Sequence, residues 1–218
     1  MRTVSVNLTV AVVYCCLFVR VFRINSLEMS VKSLLRSRIK RRLKEIASSD
    51  IEYQSSAIAS HISTIPNFQH VKAVSIYLSM DGEVNTYGLI KDLMETHGKR
   101  VYIPKVVGKN SNDMIMLPLS SYSDIESYPR NAWGIPEPVL PASYDENDMG
   151  NIDLVLMPGV AFDTWGGRLG HGKGYYDCFI ERLCRMREEQ NKPRPYLVGL
   201  ALMEQMQTEE LPMEPHDR

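Results

Sequence analysis

Between Ile152 and Arg187 the chain changes character three times. An apolar run of strand length, Ile152 to Met157, leads through Pro158-Gly-Val-Ala-Phe-Asp163 into the glycine-rich segment Gly166-Gly-Arg-Leu-Gly-His-Gly-Lys-Gly174, and then into an amphipathic segment from Tyr175 to Arg187. Strand, glycine loop and helix in that order restrict the fold more than any other feature of the sequence. They make a place to hold phosphate. Glycines let the backbone approach an anion closely, and a helix start presents unpaired N–H groups at the positive end of its dipole. Arg168 and Lys173 add positive charge to the loop, and Asp177 adds a carboxylate able to take a metal ion. The plainer alternative is a segment whose glycines serve only tight turns.

The spelling narrows the chemistry. Gly167-Arg-Leu-Gly-His-Gly172-Lys173 satisfies the first part of a Walker A loop, but Gly174 stands where Ser or Thr would offer a hydroxyl to Mg²⁺. That argues against an ordinary P-loop NTPase and leaves Asp177 as the nearest group to order a metal. A dinucleotide-binding fingerprint fits less well, because Tyr175 takes the place of its third glycine. No Ser/His/Asp or Cys/His arrangement for nucleophilic catalysis is visible.

The rest of the chain alternates in kind. Leu35, Ile39, Leu43 and Ile46 fall at helical spacing from Val31 onward, with Arg36, Arg38, Lys40, Arg41, Arg42 and Lys44 on the other faces, which reads as a solvated basic surface. A second helix is expected from about Ile51 to Ser63. Val71 to Ser79 alternates and reads as a strand, with Glu83 just past its end, where ligands gather in open α/β sheets. The plainer reading of Glu83 is an exposed turn acid beside Gly82. Thr86 is expected to cap a helix reaching Thr96 and ended by Gly98. Arg100–Pro104 and Asp113–Leu117 read as short strands, and Pro118 to Pro129 as a surface loop. Trp133-Gly-Ile-Pro-Glu-Pro138 cannot be regular structure, so Trp133 either stacks on a flat ring or packs beneath its loop. Pro141 to Asn151 reads as a linker, and Tyr196 to Ala201 as the last strand. The alternation from 71 to 201 predicts an α/β fold, a three-layer, Rossmann-like sandwich around a mainly parallel sheet.

Composition excludes some functions. A formal net charge of −1 over 218 residues argues against a general nucleic-acid or membrane-surface binder. The four cysteines include no CxxC pair and no zinc spacing, so free thiols in an intracellular protein are expected. Residues 1–28 are expected to lie outside the domain as an extension or targeting segment. Their apolar run, Leu8 to Val19, is short for a membrane span, so no stable membrane association is expected.

Met157-Pro-Gly-Val-Ala-Phe-Asp163 and Arg168-Leu-Gly-His-Gly-Lys-Gly-Tyr-Tyr-Asp177 together resemble the signature of the 5-formyltetrahydrofolate cyclo-ligase family, also called methenyltetrahydrofolate synthetases. The basic helix from Val31, Tyr77-Leu-Ser-Met80 with Glu83, and Trp133 to Pro138 extend the resemblance over about residues 31 to 217, with 29–218 as the domain. It implies ATP-dependent closure of 5-formyltetrahydrofolate to 5,10-methenyltetrahydrofolate, with release of ADP and phosphate. ATP would meet Lys32, Arg36, Arg168, Leu169, Gly170, His171, Gly172, Lys173, Gly174, Tyr175 and Tyr176. The folate would meet Leu78, Glu83, Trp133, His171, Gly172, Lys173, Gly174 and Tyr175. Arg168 and Lys173 would carry the catalytic charge, and Asp177 with Asp217 would hold Mg²⁺. His171 stands where many relatives carry Arg, as a phosphate or carboxylate contact or an exposed loop residue that does little. The resemblance also implies a further short apolar segment after Asp217, so a C-terminally short domain is expected. It favours a monomer in the cytosol, with a mitochondrial form as the alternative.

Overall fold

A computed structural model of the chain describes residues 27–214, with side chains from residue 31. The apolar run from Leu8 to Val19 and the expected metal ligand Asp217 lie outside the described residues.

The alternation seen in the sequence becomes a sheet covered on both faces. Its elements are helices α1 (Leu27–Leu43), α2 (Ser48–Ile62), α3 (Tyr87–Glu95), α4 (Asp124–Ser127) and α5 (Tyr175–Glu189). The strands are β1 (Ala73–Ile76), β2 (Arg100–Val106), β3 (Met114–Leu119), β4 (Leu154–Met157), β5 (Ala161–Phe162), β6 (Arg168–Leu169) and β7 (Tyr196–Gly199). Five strands form one sheet in the order β3-β2-β1-β4-β7. β1 runs parallel to β2 and β4, β4 runs parallel to β7, and only the β2–β3 pair is antiparallel.

Every residue of β1 and β4 is buried, as a strand covered on both faces requires. Alternate side chains go to opposite layers. Val74, Ile76, Leu154 and Leu156 pack with Ile62, Leu89, Ile90 and Leu93 of α2 and α3. Ala73, Val155 and Met157 pack with Phe179, Ile180 and Leu183 of α5. This is the expected three-layer sandwich. Helix α1 is different: Ile39, with Leu35 and Leu43, packs on Val160, Ala161, Leu169 and Leu211, away from the sheet.

Several local expectations are corrected. β1 stops at Ile76 rather than Ser79 because its next residues bond to the following turn. The Thr86 hydroxyl donates to Tyr77 O at 2.7 Å and accepts from Ser79 N–H at 3.1 Å. So engaged, Thr86 does not cap α3; the Asn85 side chain accepts from Tyr87 N–H instead, at 3.1 Å. The stretch expected as a bare loop between 118 and 129 begins as the end of β3 and contains α4, with Ile125 buried. The linker before β4 ends in a 3-10 turn, Glu146–Asn151. The glycine segment is not one continuous loop, for β5 and β6 pair within it as an antiparallel hairpin.

An ion pair between buried Arg187 and half-buried Asp153 ties three elements together. The Arg187 side chain donates to Asp153 Oδ1 through both terminal nitrogens at 3.2 Å, to Ile152 O at 2.6 Å and to Pro193 O at 2.6 Å. Asp153 Oδ2 accepts from Lys72 and Ala73 N–H, so one carboxylate joins the start of β1 to the end of α5. Removing Arg187 takes the donor from Ile152 O and Pro193 O and leaves the half-buried Asp153 without its cation. Arg187→Met is expected to lower unfolding stability by about 3 kcal/mol, read as a shifted urea midpoint with an unchanged slope.

Candidate active site

The sheet order dictates where a ligand goes. From β1 the chain crosses by way of α3 to β2 on one side, and from β4 by way of α5 to β7 on the other. The crevice between the carboxyl ends of β1 and β4 is therefore the topological switch point. A cavity of about 880 Å³ opens there, lined by Ser79, Met80, Gly82 and Glu83 after β1 and by Gly159 and Val160 after β4. Helix α1 and the turn after it supply a wall through Lys40, Leu43 and Lys44, and Trp133 and His171 complete the rim.

The glycine segment is shaped by Asp163. This residue is buried, and its Oδ1 accepts from Trp165 N–H at 2.9 Å and Gly167 N–H at 2.6 Å. Its Oδ2 accepts from Leu211 N–H at 2.8 Å, drawing in the C-terminal stretch. The turn so closed delivers Arg168 and Leu169 on β6, and the chain then bends through Gly172 (φ +98°) and Gly174 (φ +70°) into α5. Both angles lie in the left-handed region that glycine tolerates. The first helical hydrogen bond of α5 is Cys178 N–H to Gly174 O, so the amides of Tyr175 and Tyr176 have no carbonyl within the helix.

Charge converges on this helix start. The Arg168 side chain is 4% exposed and donates to Asp177 Oδ1 at 2.5 Å. Its guanidinium lies 5.8 Å from the centre of the Tyr176 ring. The Tyr176 hydroxyl is buried and has no hydrogen-bond partner. Burial, and then the Glu83 carboxyl, push its pKa far above the ordinary phenol value. From α1, Arg36 Nε donates to Gly170 O at 2.8 Å, and Lys32 pairs with Glu214 at 3.1 Å. Lys173 is exposed.

The other expected residues divide between cavity and core. Glu83 is buried, accepts from Met80 N–H at 3.0 Å and lines the cavity. Desolvation raises its pKa from 4.5 to about 7, opposed by that one backbone bond. Trp133 is 66% exposed on the cavity rim rather than packed beneath its loop. Asn131 holds this loop by accepting from Trp133 and Ile135 N–H. His171 lies where the glycine loop meets the cavity. The residue is exposed, and partial desolvation, then the charges of Lys40, Arg36 and Arg168, lower its pKa. Leu78 instead sits in the core with α2 and α3. Leu169 on β6, Gly170, Gly172, Lys173 and Gly174 in the loop, and Tyr175 at the start of α5 do not line the cavity.

Asp163, Lys40 and Lys44 were not singled out by sequence reasoning. For Asp163 the signal would have been its place three residues before Gly166, typical of a side chain that closes a turn on its own backbone.

For a metal, the described residues offer Asp177. Among them no group of three or more His, Cys, Asp or Glu side chains could hold an ion. A single hard carboxylate still suits Mg²⁺, which keeps several waters and completes its shell with substrate phosphates.

Comparison with known proteins follows the same residues. A family model described as the 5-formyltetrahydrofolate cyclo-ligase family matches residues 28–218. The 5-formyltetrahydrofolate cyclo-ligase of Mus musculus is 35% identical over 189 residues, 86% of this chain and 90% of that one. The protein of Arabidopsis thaliana named 5-formyltetrahydrofolate cyclo-ligase, mitochondrial, is 32% identical over 197 residues, 85% of this chain and 70% of that one. The solved structure of Aquifex aeolicus 5,10-methenyltetrahydrofolate synthetase superposes with a TM-score of 0.65 at 28% identity, covering 86% of each chain. No helix among the described residues is long and apolar enough to cross a membrane.

The raised Glu83 pKa makes a prediction about stability. Between pH 4.5 and 7 the folded protein holds the Glu83 proton more firmly than the unfolded chain does, so this group's contribution falls as pH rises through that window. Glu83→Gln is expected to remove the loss and to be more stable than the wild type at pH 8, by on the order of 2 kcal/mol. Urea unfolding of both proteins at pH 5 and pH 8 isolates the effect; a difference that does not grow with pH would leave the carboxyl with an ordinary pKa.

Proposed function

The chain belongs to the 5-formyltetrahydrofolate cyclo-ligase family, and on that premise we propose that it closes 5-formyltetrahydrofolate to 5,10-methenyltetrahydrofolate by phosphorylating the formyl oxygen with ATP. Its place is in folate one-carbon metabolism as a cyclo-ligase, and the family implies use of ATP and a folate. The observation that carries the mechanism is the meeting, at His171, of the glycine loop with a cavity bearing Glu83 and Trp133.

A formyl amide is a poor electrophile and its oxygen a poor leaving group. Phosphorylation answers both difficulties. The formyl oxygen attacks the γ-phosphorus, the bond to the β-phosphate oxygen breaks, and ADP leaves. N10 then adds to the activated carbon, the carbon–oxygen bond breaks to release phosphate, and N10 gives up its proton. Such transfer depends on alignment and charge neutralisation more than on a covalent nucleophile.

Each group has a part in this scheme. The free amides at the start of α5, with Arg168 and Lys173, receive the phosphates. Arg36 braces the loop through Gly170 O, and Lys32 stands on the same helix face toward the nucleotide. The partnerless Tyr176 hydroxyl donates to a phosphate oxygen beside Arg168. Glu83 accepts from the N–H groups of the pterin, and Trp133 stacks on its ring. Asp177, together with the nucleotide phosphates, would hold Mg²⁺, which when bound neutralises charge on the phosphates. Asp217 is assigned by the family pattern alone. A cytosolic monomer is part of the same proposal.

Incubation with 5-formyltetrahydrofolate and MgATP is expected to give the near-ultraviolet absorbance of the methenyl product only when both ATP and Mg²⁺ are present. Lys173→Ala is expected to abolish turnover with the fold intact; near-normal rates would remove the loop lysine from the mechanism. Tyr176→Phe is expected to cost at least tenfold in kcat/KM, about 1.4 kcal/mol of transition-state stabilisation. An unchanged value would make the buried hydroxyl a packing group.

A further inference from the structure

We infer that Lys40, at the end of α1, and Lys44, in the turn that follows, receive the carboxylates of the folate's glutamate tail from the cavity wall and set the enzyme's preference for a charged tail. This deepens the folate reading above and rests on it.

The basic residues of α1 are not evenly spread. Lys32, Arg36 and Lys40 recur every four residues and so form one stripe along the helix, continued by Lys44 in the turn just past its end. The stripe divides in two. Lys32 is spent on Glu214 and Arg36 on Gly170 O. Lys40 and Lys44 are both exposed and line the cavity, with His171 opposite Lys40. Leu43, between them, faces the β1 turn closely enough that a Cβ on Gly82 would meet its Cβ at 3.6 Å.

The cavity carries acids as well. Glu83 accepts from Met80 N–H and Glu52 from the Asn85 side chain at 3.1 Å, which leaves Asp81 as the other acid on the rim. The same lining offers apolar surface through Leu43, Ile46, Ile51 and Val160.

Those three kinds of surface suit the three parts of one molecule. A reduced folate has a hydrogen-bonding pterin, then a flat apolar benzoyl bridge, then a glutamate with two carboxylates. With the pterin at Glu83 and Trp133, the bridge lies along the apolar lining and the carboxylates reach the lysines. Charges this exposed are screened by salt, so the preference they confer is modest and ionic-strength dependent. The rival ligand is a nucleotide phosphate, because Lys40 also faces the glycine loop through His171.

The test compares 5-formyltetrahydrofolate with an analogue whose glutamate is replaced by an uncharged methylamide, using the full chain with MgATP. In the wild type, KM for the natural substrate is expected to be several-fold lower than for the analogue and to rise with added KCl. The double variant Lys40→Met/Lys44→Met is expected to raise KM for the natural substrate about tenfold. KM for the analogue and for ATP should stay unchanged, the former also showing that the variant is folded. Lys40→Arg/Lys44→Arg is expected to restore the preference.

A raised KM for ATP with both folates affected alike would assign the lysines to the nucleotide and overturn the inference. So would a wild type that does not distinguish the two tails and whose folate KM ignores salt, a result that needs no variant to fold. If the wild type closes neither folate, the cyclo-ligase reading itself fails, and the inference with it.

Discussion

The Asp163 carboxylate is the interaction on which the site's geometry depends. It is buried, yet it needs no cation, because three backbone N–H groups meet its two oxygens. Two of them close the turn that places β6; the third comes from Leu211, 48 residues later in the chain. A buried carboxylate without such partners would cost several kcal/mol. With them it holds a turn and a distant strand of chain in one place. Everything that follows in sequence, from Arg168 to the first turn of α5, inherits its position from that turn.

The second constraint is charge taken out of water beside the phosphate loop. Arg168 is almost wholly buried against Asp177 and Tyr176. Such a pair adds little net stability, since desolvation offsets much of its Coulomb energy. Its effect is orientation: the guanidinium stays at the helix start, and Asp177 sits in the first turn of α5, where the helix dipole favours an anion. Glu83, across the cavity, has the opposite environment, in which desolvation raises its pKa and one backbone donor, Met80 N–H, opposes it. One side of the site is thus built for negative ligands and the other for ligands that donate hydrogen bonds.

The layers were legible in the sequence because they rest on period. Fully apolar β4, alternating Val71 to Ser79 and the helical spacing in α1 and α5 each announce their element. Glu83 and Trp133 became candidates through the family resemblance, since locally an acid past a strand end reads equally as an exposed turn acid and an aromatic held by prolines reads as packing beneath its loop. The β5–β6 hairpin was not, since strands of two residues carry no period and the turn between them depends on Asp163 and a tail far along the chain. Thr86 looked like a helix cap, and only the nearness of Tyr77 O shows why its hydroxyl is used elsewhere. Lys40 and Lys44 looked like part of a solvated face because nothing in a helical wheel reveals that the loop after β1 stands opposite them.

Helix α1 forms a wall of the cavity but does not lie on the sheet. Its apolar side packs mainly on the hairpin, Val160 and Leu211, a small cluster compared with the two that clasp the sheet, and reaches the nearer of those two through Leu43 alone among the described residues of the helix. The container and the anchorage of the container are therefore different parts of the molecule. A ligand bridging α1 to the β1 turn joins the least secured element to the most secured one, and by mass action its free energy of binding is added to the cohesion of the fold. Substrate, in this arrangement, is a structural member of the protein for as long as it is bound.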